Sequence, residues 1–167
     1  MAKGYVKGKG GGRGYTGGAR FAYIGSASGR AFGDLIGINK QDYQEMSPGT
    51  RLAVVTHEVV HNTVEDYILK NNEEWNNAES VLKVKEGTDR RGNPYKEFYG
   101  GNYRIGESIA DAIASAMTDD WSMTSTPKQR ASITKWARSV TRRAGYSYEQ
   151  LKKDAISIVR SLDSQLQ

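Results

Sequence analysis

The chain has 167 residues, no cysteine, two histidines and a formal net charge of +5. This length fits one domain, or one domain with a tail, and is enough to bury a hydrophobic core. The lack of cysteine excludes a disulfide framework, thiolate metal sites, iron–sulfur clusters and a cysteine nucleophile. Apolar residues make up 37% of the chain. Soluble domains typically have roughly 45–50%, counting glycine, so we expect part of the chain to stay outside the core.

The N-terminal segment differs in composition from the rest of the chain. Residues 1–18 contain eight glycines together with basic residues. This composition predicts a flexible basic tail, followed by a single domain over residues 19–167. No apolar run reaches the ~18 residues that span a bilayer, and the start lacks the apolar core of a secretory signal. We therefore expect cytoplasmic synthesis and no membrane partner, with delivery as an effector or carriage in a virus particle as the exceptions.

The order of predicted elements indicates an α+β fold with a small N-terminal sheet and about four helices. Apolar alternation predicts strands over residues 19–25 and 34–43, separated by a loop at 25–30. Ser47 and Pro48 are typical of a helix start, and the helix continues to residue 70. A hairpin is predicted over residues 81–100. Three further helices follow: one after Asn102 as a candidate cap, one over residues 126–145 and one that begins at Ser147.

Both histidines lie in the first predicted helix, within the string His57-Glu58-Val59-Val60-His61. Residues four apart project from the same face of a helix, one turn apart, so the two imidazoles can reach one metal ion. Glu58 points to the side of this pair. It can hold a metal-bound water without being a ligand and accept the proton of that water. The alternative is a pair of polar residues on a core helix, which would leave ring nitrogens without partners.

A catalytic zinc ion usually has three protein ligands, and two are supplied by His57 and His61. Since the chain has no third histidine and no cysteine, the third ligand must be a carboxylate. Glu107 on the second helix is the best candidate. Asp111, one turn later on the same face, can accept the N–H of a ligating imidazole and fix its orientation. Glu65 follows His61 by one turn, but the geometry of a single helix disfavours a third ligand there.

The His-Glu-Val-Val-His string and the downstream Glu107-x-x-x-Asp111 together resemble the gluzincin metallopeptidases, the thermolysin-like group. The resemblance covers these two motifs and the element order between about residues 20 and 120. It implies a zincin-like fold with an active-site helix, zinc bound by His57, His61 and Glu107, Glu58 as general base and acid, and Asp111 outside the ligand set. It also implies a protein or peptide substrate, held beside the metal by the edge strand Ile36–Asn39. Compact zincins with this layout are similar to effector toxin domains and phage-encoded metallopeptidases.

The sequence departs from thermolysin at two points. The gap between His61 and Glu107 is longer, and no later histidine is present to stabilise the oxyanion. Tyr103 or Arg104 is then the candidate for that role. Asp89 is a rival third ligand, because Gly-Thr-Asp resembles the aspzincin motif with the spacing off by one. The metzincin pattern is not matched, since Val64 and Tyr67 stand at its glycine and ligand positions.

Charge is unevenly distributed along the chain. Residues 1–33 and 126–147 carry six basic residues each and no acid, whereas residues 34–125 carry nine basic and sixteen acidic residues. The basic flanks predict a second class of function, a nucleic-acid-associated protein with a structural or vestigial metal site. Tyr5, Tyr15 and Trp136 are its candidate stacking surfaces. A solubilising tail and a solvated helix face explain the same charges.

Overall fold

The N-terminal part of the described chain forms a three-stranded sheet. The structure, a computed structural model, describes residues 20–24, 29–32, 35–124 and 126–166. Strands β1 (Arg20–Ile24), β2 (Gly29–Phe32) and β3 (Leu35–Asn39) pair in the order β1-β3-β2. Strand β3 is parallel to β1 and antiparallel to β2. The tail that we predict over residues 1–18 lies outside the described residues.

Strand β3 is the central strand of this sheet, so the prediction that Ile36–Asn39 forms its edge is wrong. Ile36 and Ile38 are fully buried. The reason is β2, which pairs along the free side of β3 and comes partly from a segment that we interpreted as a loop. The predicted continuation of the strand to residue 43 is also wrong. The Asn39 side chain accepts the Asp42 N–H at 2.9 Å and thereby caps helix α1 (Lys40–Glu45).

The first long helix begins where its capping signal predicts. Helix α2 (Pro48–Val60) follows Ser47, whose side-chain oxygen accepts the Thr50 N–H. The predicted continuous helix is interrupted after α2 by one turn of π-helix, His61–Glu65, before α3 (Asp66–Leu69) completes it. Both sides of this stretch bury valines and isoleucine, so it lies inside the fold: Val55, Val59, Val60, Val64 and Ile68.

The next segment carries the chain from the first long helix to the second. Helix α4 (Asn72–Leu82), which is not among the predicted elements, is capped by Asn71 and includes Val81 and Leu82, so the prediction that the hairpin begins at residue 81 is wrong. The hairpin itself is present as strands β4 (Lys83–Thr88) and β5 (Pro94–Phe98). A 3₁₀ turn, Tyr99–Gly101, then precedes α5 (Ile105–Thr118). The prediction that Asn102 caps this helix is wrong, because Arg104 is the cap residue and the Asn102 side chain bonds elsewhere.

Two long helices close the fold. Helix α6 (Pro127–Arg143) and helix α7 (Tyr148–Gln165) match the predicted third and fourth helices, and Ser147 caps α7 as expected. Helix α2 packs between α5 and α7, and α5 also contacts α4 and α6. The described residues thus form an α+β fold, and none of its helices has the length and apolarity needed to cross a membrane. The packing of α2 against α5 sets the position of the candidate site.

Candidate metal centre

His57 and His61 stand at the end of α2 and at the start of the π turn. Both side chains are partly buried, and their rings meet edge to face with centroids 4.5 Å apart. The two Nε2 atoms are 2.9 Å apart. The helical spacing therefore brings both imidazoles to one point, as the sequence predicts.

Glu107 meets both histidines from the neighbouring helix. Because α5 packs alongside α2, the first turn of α5 lies opposite the last turn of α2. One Glu107 carboxylate oxygen lies 3.1 Å from His57 Nε2, and the other lies 3.3 Å from His61 Nε2. The side chain is 48% exposed, so the point where the three residues meet is open to solvent on the Glu107 side.

Asp111 contacts the opposite nitrogen of His57. Its Oδ1 lies 2.7 Å from His57 Nδ1, and its Oδ2 accepts a hydrogen bond from Asn102 Nδ2 at 2.7 Å. Asn102 also donates to the Tyr99 carbonyl, which ties the contact to the 3₁₀ turn. An ionised carboxylate only accepts hydrogen bonds, so His57 Nδ1 carries a hydrogen, and in the neutral ring His57 Nε2 presents a lone pair.

Glu65 has the corresponding contact with His61. Its carboxylate bonds His61 Nδ1, the ring nitrogen that points away from Glu107. The geometry of a single helix disfavours Glu65 as a third ligand, and its contact with His61 is on the nitrogen that faces away from Glu107. The hydrogen of His61 therefore also belongs on Nδ1, and His61 Nε2 presents a lone pair.

When both rings are neutral, lone pairs from three side chains face one point: His57 Nε2, His61 Nε2 and the Glu107 oxygens. Such a set is repulsive unless a proton or a metal ion lies among its members. Ligand atoms held ~2.0–2.1 Å from a tetrahedral zinc ion lie roughly 3.3 Å from one another. The two Nε2 atoms are 2.9 Å apart, and two different Glu107 oxygens lie 3.1 and 3.3 Å from them, so the donor types and their spacing are compatible with a zinc ion.

The pKa values of these groups show how strongly the point attracts positive charge. Burial disfavours the imidazolium of His57, but hydrogen bonds to Asp111 and Glu107 outweigh it and raise its pKa to about 10. Burial also opposes charge on His61, and the Glu65 hydrogen bond outweighs it, so that the pKa of His61 is raised. The hydrogen bond from His57 is the largest cause that lowers the pKa of Glu107, to about 2.

Glu58 lies beside the histidines as a buried acid. It is 6% exposed, and one of its oxygens lies within 4.8 Å of a nitrogen of each histidine. Within the described residues its carboxyl makes no hydrogen bond or ion pair. Burial raises its pKa, while the charges of His57 and His61 oppose that rise. A carboxyl with a raised pKa and no protein partner is suited to exchange a proton with a bound molecule.

Residues of the candidate centre line two cavities. One of about 440 Å³ is lined by His57, Glu58 and Asp111, together with small side chains of α2 and α5. The other, about 1170 Å³, is lined by Glu107 and Glu65 and reaches along the hairpin; its aromatic walls are Trp75, Tyr95, Phe98 and Tyr103. His57 thus lines one cavity and Glu107 lines the other, and each cavity can hold part of a larger molecule.

The other sequence candidates lie further from the histidines. Tyr103 is 68% exposed and packs its ring against Tyr95 of the hairpin. Arg104 lies beside it, exposed, at the cap of α5. Both line the larger cavity, and their role at an oxyanion stays a prediction. Asp89 accepts the backbone N–H groups of Arg91 and Asn93 at 2.8 Å, so its carboxylate serves the hairpin turn.

The structure describes only part of the two basic flanks, residues 1–33 and 126–147. Tyr5 and Tyr15 lie outside the described residues, and Trp136 is 7% exposed and packed in the core, so its assignment as a stacking surface is wrong. On α6, Arg143 binds the buried Glu74 and Arg138 pairs with Glu149. Part of the positive charge of α6 is therefore neutralised within the fold, and nucleic-acid binding stays a prediction.

Sequence reasoning missed what Glu65 and Asn102 contact. The i,i+4 spacing of His61 and Glu65 was the available signal for the first contact, but nothing local indicated the second.

Comparison with known proteins gives no relative: no protein-family model matches the chain, and neither a curated protein nor a solved structure matches it significantly. The geometry of the site therefore carries the functional argument.

Proposed function

We propose that the protein is a zinc-dependent metallopeptidase with a zincin-like fold. The observation that carries the proposal is the convergence of His57 Nε2, His61 Nε2 and the Glu107 carboxylate on one point. Three protein ligands with an open position are typical of catalytic zinc sites, whereas structural sites are closed by four. The exposed side of Glu107 leaves room for such an open position.

His57, His61 and Glu107 are the residues that hold the ion in this proposal. Imidazole nitrogens and one carboxylate suit zinc better than magnesium or calcium, which take oxygen ligands. When bound, zinc lowers the pKa of a water and polarises a substrate carbonyl. Asp111 and Glu65 keep the two rings turned so that Nε2 faces the ion.

Glu58 is the acid–base residue of the proposed reaction. Its carboxylate accepts a proton from the water that attacks the peptide carbonyl, and its carboxylic acid then gives that proton to the leaving amine nitrogen. Burial raises the pKa of Glu58, which makes the carboxylate a stronger base than an exposed one. The absence of a partner for this carboxyl within the described residues leaves it free for the transfer.

A protein or peptide substrate is supported by the two cavities. One cavity is lined by His57 and Glu58 and the other by Glu107, so each can take part of a bound chain beside the proposed ion. Strand β2 lies at the edge of the described sheet and contacts α2 and the π turn. We therefore assign the strand that pairs with the substrate backbone to β2, and not to β3 as first expected.

The test is a comparison of E58Q with the wild-type protein. Zinc content is measured on both, together with cleavage of casein as an unstructured protein substrate. We expect E58Q to keep its zinc and to lose cleavage by ~10²–10⁴-fold, because the amide cannot take the proton. E73Q, at an exposed position of α4, is the matched control and should behave as wild type. Cleavage by E58Q at the wild-type rate, or zinc-loaded wild-type protein without cleavage, contradicts the proposal.

A further inference from the structure

We propose that Glu65 is a positioning residue that turns His61 toward the metal, and that the π turn and Gly106 make room for it. This inference rests on the zinc site proposed above. The observations that carry it are the Glu65–His61 contact, the course of the backbone between these two residues, and the close approach of α5 at Gly106.

Glu65 is a carboxylate largely removed from water. Its side chain is 12% exposed, and within the described residues its one ion-pair partner is His61. A carboxylate withdrawn from water is costly unless it is paired and hydrogen-bonded. The pairing therefore holds the hydrogen of His61 on Nδ1 and leaves His61 Nε2 directed at His57 and Glu107.

The backbone between the two residues has an uncommon form. His61 and Glu65 are the first and the last residue of the π turn. Such turns occur in well under 1% of residues and often mark functional sites. Here the wider turn coincides with the pair of side chains that meet across it, while Thr63 and Val64 of the same turn are buried in the core.

Gly106 is the third part of the arrangement. A Cβ at Gly106 would lie 2.7 Å from Glu65 Oε1, a separation that real Cβ atoms essentially never show. The first turn of α5 lies this close to Glu65, and a side chain at residue 106 would force the Glu65 carboxylate to shift from its place beside His61. Since Glu107 is the next residue, the same approach brings Glu107 to the two histidines.

The experiment measures zinc affinity by competition with a chromophoric chelator and records the visible spectrum of the cobalt-substituted protein. We expect E65A to bind zinc ~10–100-fold more weakly and to shift the cobalt spectrum, as for other groups that orient a ligating histidine. E65Q keeps an acceptor oxygen and should recover most of the affinity. G106A should weaken binding because its methyl group displaces the Glu65 carboxylate.

G49A is the matched control for G106A, since nothing lies within 4 Å of a Cβ at Gly49 in α2. If the wild-type protein binds no zinc, both the proposed function and this inference fail. If the wild type binds zinc and G106A binds it as tightly as G49A, only the inference fails. Should E65A not fold, E65Q and G106A still decide: near-wild-type affinity in the first and a loss in the second supports Glu65.

Discussion

His57 and His61 lie one helical turn apart, yet the carboxylates on their Nδ1 atoms come from different parts of the fold. Asp111 reaches His57 from α5, across the contact between two helices, and is itself held by Asn102. Glu65 reaches His61 from the same stretch of helix, across a single π turn. The orientation of His57 thus depends on tertiary packing, whereas that of His61 depends mainly on local structure.

Both imidazoles are oriented in the same way, although the carboxylates on their Nδ1 atoms come from different parts of the fold. Each imidazole needs an acceptor on Nδ1 so that Nε2 stays free. The helix supplies one acceptor itself, and a neighbouring helix must supply the other. Changes that loosen α5 should therefore affect His57 first, while changes in the π turn should affect His61.

The largest loss of zinc affinity is expected from a change at Glu107, which contacts both histidines. E107A removes a contact to each Nε2 atom and, in the proposed site, one of three ligands. We expect a loss of ~10³-fold or more in zinc affinity, measured by chelator competition. D89A, the change at the rival carboxylate, should leave the affinity unchanged. A loss in D89A and none in E107A would reverse the assignment.

The pH dependence tests both rings together. In the zinc-free protein the pKa of His57 is raised to about 10, so at neutral pH its Nε2 carries a proton that zinc must displace. Zinc affinity should therefore rise ~10-fold per pH unit for each proton displaced, or about 100-fold between pH 6 and 8 for one proton.

The stability of the zinc-free protein should change in the opposite direction. A raised folded-state pKa of His57 contributes stability that is fully present below the ordinary value of 6.5 and lost as the pH approaches 10. The Tm of the zinc-free protein should fall over this window, and added zinc should remove the fall. An affinity and a Tm that do not change with pH would contradict the pairing of these groups.

D111A tests the contact from helix α5 that orients His57. Without Asp111, His57 Nδ1 loses its acceptor, and we expect a ~10–100-fold loss in zinc affinity. The combination of D111A with E65A should give a larger loss than either single variant, because each change acts on a different ring. A double variant no weaker than D111A alone would show that His61 needs no separate support.

The smallest loss of zinc affinity is expected from a change at Asn102, which contacts Asp111 and not His57 itself. N102A removes the hydrogen bond to Asp111 Oδ2 but leaves the contact between Asp111 and His57. We expect a loss of zinc affinity of ~2–10-fold, smaller than that of D111A because the acceptor on His57 Nδ1 is still present. An effect as large as that of D111A would mean that Asn102 alone keeps Asp111 in place.

The parts that the sequence predicted well depend on local patterns. His57, Glu58 and His61 were found because helical periodicity places them on one turn, and Ser47 and Ser147 because caps are local signals. Glu107 and Asp111 followed from the same periodicity on α5. These residues meet in the structure because two amphipathic helices pack together along their apolar sides.

The parts that it missed depend on partners distant in sequence or on rare backbone forms. The central position of β3 depends on β2, whose residues lack strand alternation. Asn102 looked like a cap, but Asp111 and the Tyr99 carbonyl offered its side chain better partners. No local pattern predicts a π turn, so the i,i+4 spacing of His61 and Glu65 indicates that the two side chains are neighbours but not the wider backbone turn between them.

The most direct test of the central claim is an anomalous difference map at the zinc absorption edge from crystals of the zinc-loaded protein. We expect one peak per chain, ~2.0–2.1 Å from His57 Nε2, His61 Nε2 and a Glu107 oxygen, with Asp111 and Glu65 on the two Nδ1 atoms. The absence of a peak there, or a peak bound by Asp89 or Glu65 in place of Glu107, would contradict it.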